Sequence, residues 1–399
     1  MKKSIGYYLF WHFVHLCSFL IPRSKKKYAF GGPHGSFKDN AKYLFIYAIE
    51  HCKDIDVAWI TSYHSTVNYL TALGLKVYHC RSAKGMWHAL TSRYWFYNSF
   101  PSDIDYYLSG GAICVNMWHG VGTKCIQYCI KKGFYAQTYQ HPTLKDRLVY
   151  PYRYRKHNYV LSSTPLTTEF FSKSFRVSKN RCIEFGYPRN AILTEDEVDR
   201  KAFIQRYESE EMLNLISRMG QYNKVLLYMP TWRDSQRELF TQHLDLDRLN
   251  AVLALQGELM LLKPHPMILA DKEEKPYSNL LFLDPLMDVY PLLPYVHVLV
   301  TDYSSILYDF LLMESKEAFL YTYDYEEYVV ERDFFYPFDE YVTGNRVNDF
   351  EGFLRCVEQH DYAIDPSERQ RLLQAFWGET AHYNSSQKIM EFFKVKSER

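Results

Sequence analysis

Val298-Leu-Val-Thr-Asp-Tyr-Ser-Ser-Ile-Leu-Tyr-Asp-Phe-Leu-Leu312 is the stretch that decides how this chain folds. An apolar strand over 296–300 breaks at Thr301-Asp302, two serines follow Tyr303, and Ile306, Leu307, Phe310 and Leu311 then take up helical spacing. Ser304 and Ser305 therefore stand where a helix begins. Backbone N–H groups, two hydroxyls and the positive end of a helix dipole come together there. A strand that hands over directly to a helix belongs to a parallel sheet, and ligands of open α/β sheets bind at the carboxyl ends of the strands. The pattern predicts an anion seat, although taken alone an ordinary Ser N-cap reads the same way.

Working outward, the same alternation runs along the chain. Strand-like segments fall at 28–30, 57–60, 76–78, 94–98, 112–117, 159–162 and 182–185, with helical patterns at 39–48, 67–73, 85–91 and 165–174 between them. A charged helical stretch from 186 to about 220 reads as a connection. The alternation restarts at 224–229 and continues through helix 245–255, strand 258–263, strand 280–283, a short helix 286–293, strand 296–300, helix 304–315 and strand 318–321. Two Rossmann-like domains with a cleft between them are predicted. They divide as an N-terminal segment 1–27, domains 28–195 and 196–375, and a C-terminal helix 376–399.

The totals exclude several function classes. Lys and Arg number 47 against 46 Asp and Glu, so no global field recruits nucleic acid. Between Lys124 and His157, however, eight basic side chains face one acid, Asp146, with tyrosines interleaved; that patch suits a polyphosphate chain or a bilayer surface. Eight cysteines without a CxxC pair read as reduced thiols, and no GxxxxGK[ST] loop is present. Asp103-Ile-Asp105 and Asp245-Leu-Asp247 mimic a metal-binding DxD, a pattern too common to count, and no bound metal is predicted. The 36 tyrosines suit sugars and membrane interfaces, although most such rings serve packing.

Residues 5–21 are largely apolar and aromatic, are stopped by Pro22, and are followed by Arg23 and Lys25 to Lys27. The segment is short of the ~20 residues of a spanning helix and lacks a small-residue cleavage site. A helix in the membrane interface, with its basic neighbours on anionic headgroups, is expected; a buried first helix is the alternative.

Four strand ends carry groups that can do chemistry. His119 and Lys124 follow 112–117, Thr231 and Arg233 follow 224–229, Lys263 and His265 follow 258–263, and Ser304 and Ser305 follow 296–300. An imidazole accepts a hydroxyl proton near neutral pH, and a fork-shaped guanidinium, an ammonium and hydroxyls grip phosphate. All four ends are expected to face one cleft, and a diphosphate is the ligand they fit.

Six motifs carry a family resemblance. They are Trp118-His119-Gly120 with Lys124, Gly186-Tyr-Pro-Arg189-Asn190, Pro230-Thr-Trp-Arg-Asp234, Lys263-Pro-His265-Pro266, Thr301-Asp302-Tyr-Ser-Ser305 with Asp309-Phe310, and Tyr323-Asp324 with Glu326, Tyr328 and Arg332; Gly35, Asp39-Asn40 and Lys42-Tyr43 add to them. In this order and spacing the chain resembles the CDP-glycerol glycerophosphotransferases, which build teichoic acids and related bacterial capsules. The resemblance implies a GT-B fold and a peripheral place on the cytoplasmic face of the cell membrane. It also implies transfer of glycerol phosphate or a related polyol phosphate from CDP-glycerol or CDP-ribitol to a lipid-linked or polymeric acceptor, with release of CMP. On that basis His119 is the expected general base. Lys263, His265, Ser304, Ser305, Arg233 and Thr231 are expected around the donor diphosphate, and Lys124, Arg189, Asp302, Glu326, Tyr328 and Arg332 elsewhere in the cleft, with no tightly bound cofactor. Ala191, Asp333 after Arg332, and Thr343 and Asn345 beside Gly344 depart from the family pattern and bear on which polyol is used. A nucleotide-sugar glycosyltransferase of the same fold, or a docking subunit without turnover, are the competing readings.

Overall fold

The computed structural model describes residues 4–231, 233, 240–264 and 276–398. The chain forms two compact units, one of Met1–Ala191 with Phe376–Arg399 and the other of Ile192–Ala375. In the first unit β1 (Ser24–Gly31), β2 (Asp56–Thr61), β3 (Val77–His79), β4 (Ser92–Tyr97), β5 (Ile113–Asn116), β6 (Tyr159–Ser162) and β7 (Cys182–Glu184) make one sheet in the order β3-β2-β1-β4-β5-β6-β7. In the second, β8 (Lys224–Tyr228), β9 (Glu258–Leu262), β10 (Leu280–Phe282), β11 (Val298–Thr301), β12 (Glu317–Tyr321) and β13 (Asn345–Val347) run β10-β9-β8-β11-β12-β13. The pairings are parallel in both sheets. Such strands are covered on both faces, so β9 is buried from end to end and is apolar throughout after Glu258.

Each sheet has one place where the strand order reverses: between β1 and β4 in the first unit, and between β8 and β11 in the second. Loops leaving the two flanking strands go to opposite faces, which opens a crevice at the carboxyl ends. That crevice is where the site residues below are found.

Alternate positions on the second unit's strands, Leu226/Tyr228, Met260/Leu262, Val298/Val300 and Phe319/Tyr321, share one core with Phe353 and Val357 of the helix Phe350–Gln359. The C-terminal helix Ser385–Glu398 belongs to the first unit, where Phe393 meets Tyr94 and Phe96 at 5.2 Å. At the other end of the chain α1 (Ile5–Ser18) packs Val14 on the first unit's core and hydrogen-bonds His12 to the carbonyl of Leu148 at 3.0 Å.

Several elements differ from the sequence pattern, and β13 is a strand beyond 318–321, which the pattern makes the last one. β1 starts at Ser24, so Lys25 to Lys27 lie on the exposed beginning of a strand rather than in a tail behind α1. In place of a helix over 286–293 there are turns and a 3-10 segment, Leu293–Tyr295. Here Asp284 and Asp288 accept from the backbone N–H groups of Leu286 and Tyr290, which competes with helix formation. The helix after Ser305 is a short piece, Ile306–Phe310, and it tightens at once into Asp309–Leu312 and Phe310–Met313 turns.

Candidate active site

In the first unit α2 (Asp39–His51), which follows β1, meets the turn that follows β5, one strand beyond the reversal point. That turn carries Trp118 at φ 52° and Gly120 at φ 117°, a course that costs a bulky residue about 1–2 kcal/mol. Side-chain amides hold it. Asn116 Oδ1 accepts from the Trp118 N–H at 2.8 Å, and Asn40 Nδ2 donates to the Trp118 carbonyl at 2.9 Å. Asn40 Oδ1 in turn accepts from the Arg189 N–H at 3.2 Å, and Arg189 pairs with Asp39 at 2.8 Å. Gly122 is required because a Cβ there would collide with the ring of Phe170.

The result is an imidazole held out at the carboxyl edge. His119 stacks on Trp118 at 4.1 Å and remains exposed, and among the described residues neither ring nitrogen has a hydrogen-bond partner. The dense protein around it disfavours the imidazolium and lowers the pKa to about 4, Arg189 and Lys124 adding to this against Asp39. Because the ring stays open to water, the direction matters more than the size: His119 is neutral at neutral pH and can take a proton. Behind the turn, His157 bridges Tyr97 Oη at 2.7 Å and Asn116 Nδ2 at 3.2 Å; burial lowers its pKa to about 3. With Nε2 accepting from the amide, the proton of the neutral ring sits on Nδ1 and points at Tyr97.

In the second unit the reversal point is ionic. Arg233 lies 7% exposed between Asp302, 1% exposed, and Asp324, 5% exposed. It donates to Asp324 through Nε at 2.7 Å and through a terminal nitrogen at 2.8 Å, and its other terminal nitrogen reaches Asp302 and the Thr231 carbonyl. Asp302 also accepts the Thr231 N–H at 2.9 Å and the Tyr303 N–H at 2.5 Å. Tyr303 donates its hydroxyl to Asp324 at 3.1 Å and stacks on Tyr328 at 4.0 Å, and the guanidinium lies over both rings. The expected fork for a diphosphate is therefore a correction: Arg233 faces two carboxylates of its own unit, and Asp302 and Tyr328 are parts of the same buried network. Its pKa is raised by those carboxylates, which keeps it charged.

The network sets the course of the 302–305 turn. Ser305 occupies the N-cap position at φ −70°, ψ −7° without a side-chain cap, and the Ser304 hydroxyl only grazes the Ile306 N–H at 3.5 Å. Both serines are half-buried and neither makes the usual cap. Lys263 is buried and donates to the Pro285 carbonyl at 2.6 Å. Glu326 is exposed on the helix Tyr325–Glu331, and Arg332, half-buried, ends it. His265 lies outside the described residues.

No group of three His, Cys, Asp or Glu side chains is gathered for a metal ion among the described residues. The Asp103-Ile-Asp105 sequence is two separate devices: Asp103 accepts the N–H groups of Asn98, Ser99 and Phe100, whereas Asp105 pairs with Arg81 at 2.8 Å. Asn40, with Asp39, is a structural partner that motif reading left without a role, and Asp324, expected from its position to meet the donor's hydroxyls, is instead held by Arg233 and Tyr303. All three stand in the motifs quoted above, but the motifs do not show what these residues touch.

Two doubly wound parallel units, each with a polar cluster at or beside its reversal point, make a fold of the GT-B kind. The sequence pattern of the CDP-Glycerol:Poly(glycerophosphate) glycerophosphotransferase family matches residues 18–393, and the chain belongs to that family: it is a transferase whose family donor is CDP-glycerol. It is 26% identical over 370 residues to a teichoic acid poly(glycerol phosphate) polymerase of Bacillus spizizenii, covering 85% of each chain. It is 26% identical over 384 residues to a teichoic acid glycerol-phosphate transferase of Staphylococcus aureus, covering 90% of each. The solved wall teichoic acid polymerase TagF superposes with a TM-score of 0.73 at 21% identity over 97% of this chain and 94% of that one, which shows a shared fold.

Proposed function

We propose that this enzyme transfers glycerol phosphate, or the related ribitol phosphate, from its CDP-linked donor to the hydroxyl of a lipid-linked or polyol-phosphate acceptor in teichoic acid or capsule-like polymer synthesis. The observation that carries the reading is the neutral, solvent-open His119 on a strained turn one strand from a sheet reversal point. His119 takes the proton of the acceptor hydroxyl as its oxygen bonds to the distal phosphorus. The bond from that phosphorus to the bridging oxygen breaks, and CMP leaves with the electron pair. A bound dianionic donor raises the imidazole pKa toward the working pH and so strengthens the base.

The donor's negative charge falls to the second unit. Lys263, His265, and the hydroxyls and N–H groups of Ser304 and Ser305 hold the diphosphate, while Arg233 with Asp302, Asp324 and Thr231 positions that turn from behind. Phosphoryl transfer needs this kind of placement and charge stabilisation more than covalent help. Lys124 and Arg189 add positive charge beside His119, and Glu326 and Arg332 serve the polyol.

The acceptor is met at a membrane surface, on its cytoplasmic face. Among the described residues no helix is long and apolar enough to cross a bilayer. α1 instead turns Tyr7, His12 and His15 inward and leaves Ile5, Leu9, Phe13 and Leu16 57–69% exposed. Lys145 and Arg147, exposed on the adjoining helix Leu144–Val149, supply charge for anionic headgroups.

CMP release by purified protein, given CDP-glycerol or CDP-ribitol and a membrane fraction, tests the reaction. Acceptor-dependent CMP from one donor is expected; none from either sinks the reading. Sedimentation with anionic vesicles tests the surface: the triple variant Leu9→Glu/Phe13→Glu/Leu16→Glu is expected in the supernatant, and co-sedimentation equal to that of the wild type would refute it.

A further inference from the structure

An acid in the first turn of a helix is ordinary, but Asp39 has a backbone that a helix start does not need. It is the first residue of α2 and takes φ 65°, the left-handed region that a residue with a Cβ keeps only where its surroundings hold it. Three strand ends supply that hold. Asn98, after β4, accepts the Ala41 N–H through Oδ1 at 3.0 Å. Asn40 donates to the Trp118 carbonyl beyond β5 and accepts the Arg189 N–H beyond β7. Asp39 and His119 are thus the chain neighbours of a directly bonded pair, Asn40 and Trp118.

The carboxylate is held by one oxygen. Oδ1 accepts the Asn40 N–H at 2.8 Å and a terminal nitrogen of Arg189 at 2.8 Å. Among the described residues Oδ2 has no hydrogen-bond partner, although the side chain is only 13% exposed. The His119 ring, stacked on Trp118, likewise has both nitrogens open. Among the charges that act on that ring, Asp39 is the strongest and favours the imidazolium, whereas Arg189 and Lys124 oppose it. Asp39 in turn faces Arg189 and the buried Asp103, whose carboxyl is lifted to about 7 by burial, with Asp39 adding to the effect.

We propose that Asp39 is the positioning carboxylate of His119: Arg189 and the Asn40 N–H fix Oδ1, and Oδ2 receives the ring N–H while the other ring nitrogen takes the acceptor's proton. Such contacts tighten when substrate is bound. No proton passes to Asp39. The acceptor's proton stays on the imidazole, and the carboxylate offsets the positive charge that forms there. The inference rests on the transferase reading above and adds the group that aims His119 and keeps it basic.

The full chain is assayed for CMP release across pH, with CDP-glycerol or CDP-ribitol and a membrane fraction. Asp39→Asn keeps an oxygen for the Asn40 N–H, and asparagine tolerates the left-handed backbone. Its kcat is expected to fall about 10–10²-fold with donor KM within about twofold. A negative charge beside the ring raises its pKa, so removing that charge should move the acid limb of kcat about one pH unit lower. In a His119→Ala background the same substitution is expected to cost no further activity. Asp39→Asn/Arg189→Gln removes both charges of the pair and serves if the single variant melts early; a similar loss of kcat is expected. Wild-type kcat in either folded variant, an unmoved acid limb in Asp39→Asn, or a full further loss in the His119→Ala background overturns the proposal. If wild-type protein releases no CMP from either donor, the transferase reading falls instead, and the His119 tautomer decides. Nitrogen NMR at neutral pH, with the signals assigned by their loss in His119→Ala, should show one tautomer in the wild type and a mixture in Asp39→Asn. Equal populations in the two overturn the proposal.

Discussion

Beside the β1/β4 reversal of the first unit, at the end of β5, the groups that hold the 116–120 turn are mostly amides and a neutral imidazole, and they leave His119 open to solvent. At the β8/β11 reversal of the second unit the holding groups are ions, Arg233 between Asp302 and Asp324, all more than nine-tenths buried. Neutral hydrogen bonds fix a backbone without perturbing a base that must change charge. A closed ion network cannot easily give up one member, but it fixes a turn whose own N–H groups and hydroxyls then face a ligand. Loss of function and loss of stability should therefore separate differently in the two places.

Among the supporting groups the largest effect is expected at Arg233. Arg233→Ala strands two buried carboxylates, and the second unit should lose about 3–5 kcal/mol in urea unfolding. A loss below ~1 kcal/mol would mean that the network is not a scaffold. Asn40→Ala comes next: it removes a buried donor and acceptor between the 118 and 189 backbones, so about 1–3 kcal/mol of first-unit stability should go along with a fall in kcat. Unchanged kcat would separate Asn40 from the placing of His119.

Acid should distinguish the units further. The folded pKa of His157, about 3, lies below the unfolded value near 6.5, so the unfolded chain binds the proton first. This group's contribution is complete above pH 6.5 and is lost as pH falls toward 3, on the order of 1 kcal/mol between pH 6.5 and 5.5. His157→Gln should flatten the first unit's pH profile by that amount, whereas a profile as steep as the wild type's would contradict the assignment. The smallest effect on stability is expected from Ser304→Ala/Ser305→Ala. With neither hydroxyl used as a normal cap, melting should hardly move, while donor KM should rise about tenfold. Equal donor KM would remove the serines from the donor site.

Much of this was legible before any coordinates. Strands covered on both faces announce themselves as apolar runs, so β8, β9, β11 and β12 fall where the pattern puts them, and His119, Ser304 and Ser305 stand at strand ends as read. Strand order was not legible, because it depends on which edges pair across long stretches of chain, and the two reversal points depend on it. Residue type shows what Arg233 can donate but not where, and its partner Asp324 lies 91 residues away. Residues 286–293 have a helix-compatible pattern that two local aspartate turns defeat. For α1 the buried alternative holds in part: one face packs on the first unit and the other is exposed.

The central claim is that His119 acts on the proton and not on donor affinity. Side-by-side calorimetry with CDP-glycerol or CDP-ribitol, whichever the wild type turns over, and CMP release by wild type and His119→Ala test it most directly. Donor affinity within about twofold and a kcat lower by about 10²–10⁴ are expected, with unchanged melting. Near-wild-type kcat in the variant, or a loss that lies wholly in donor binding, would contradict the account.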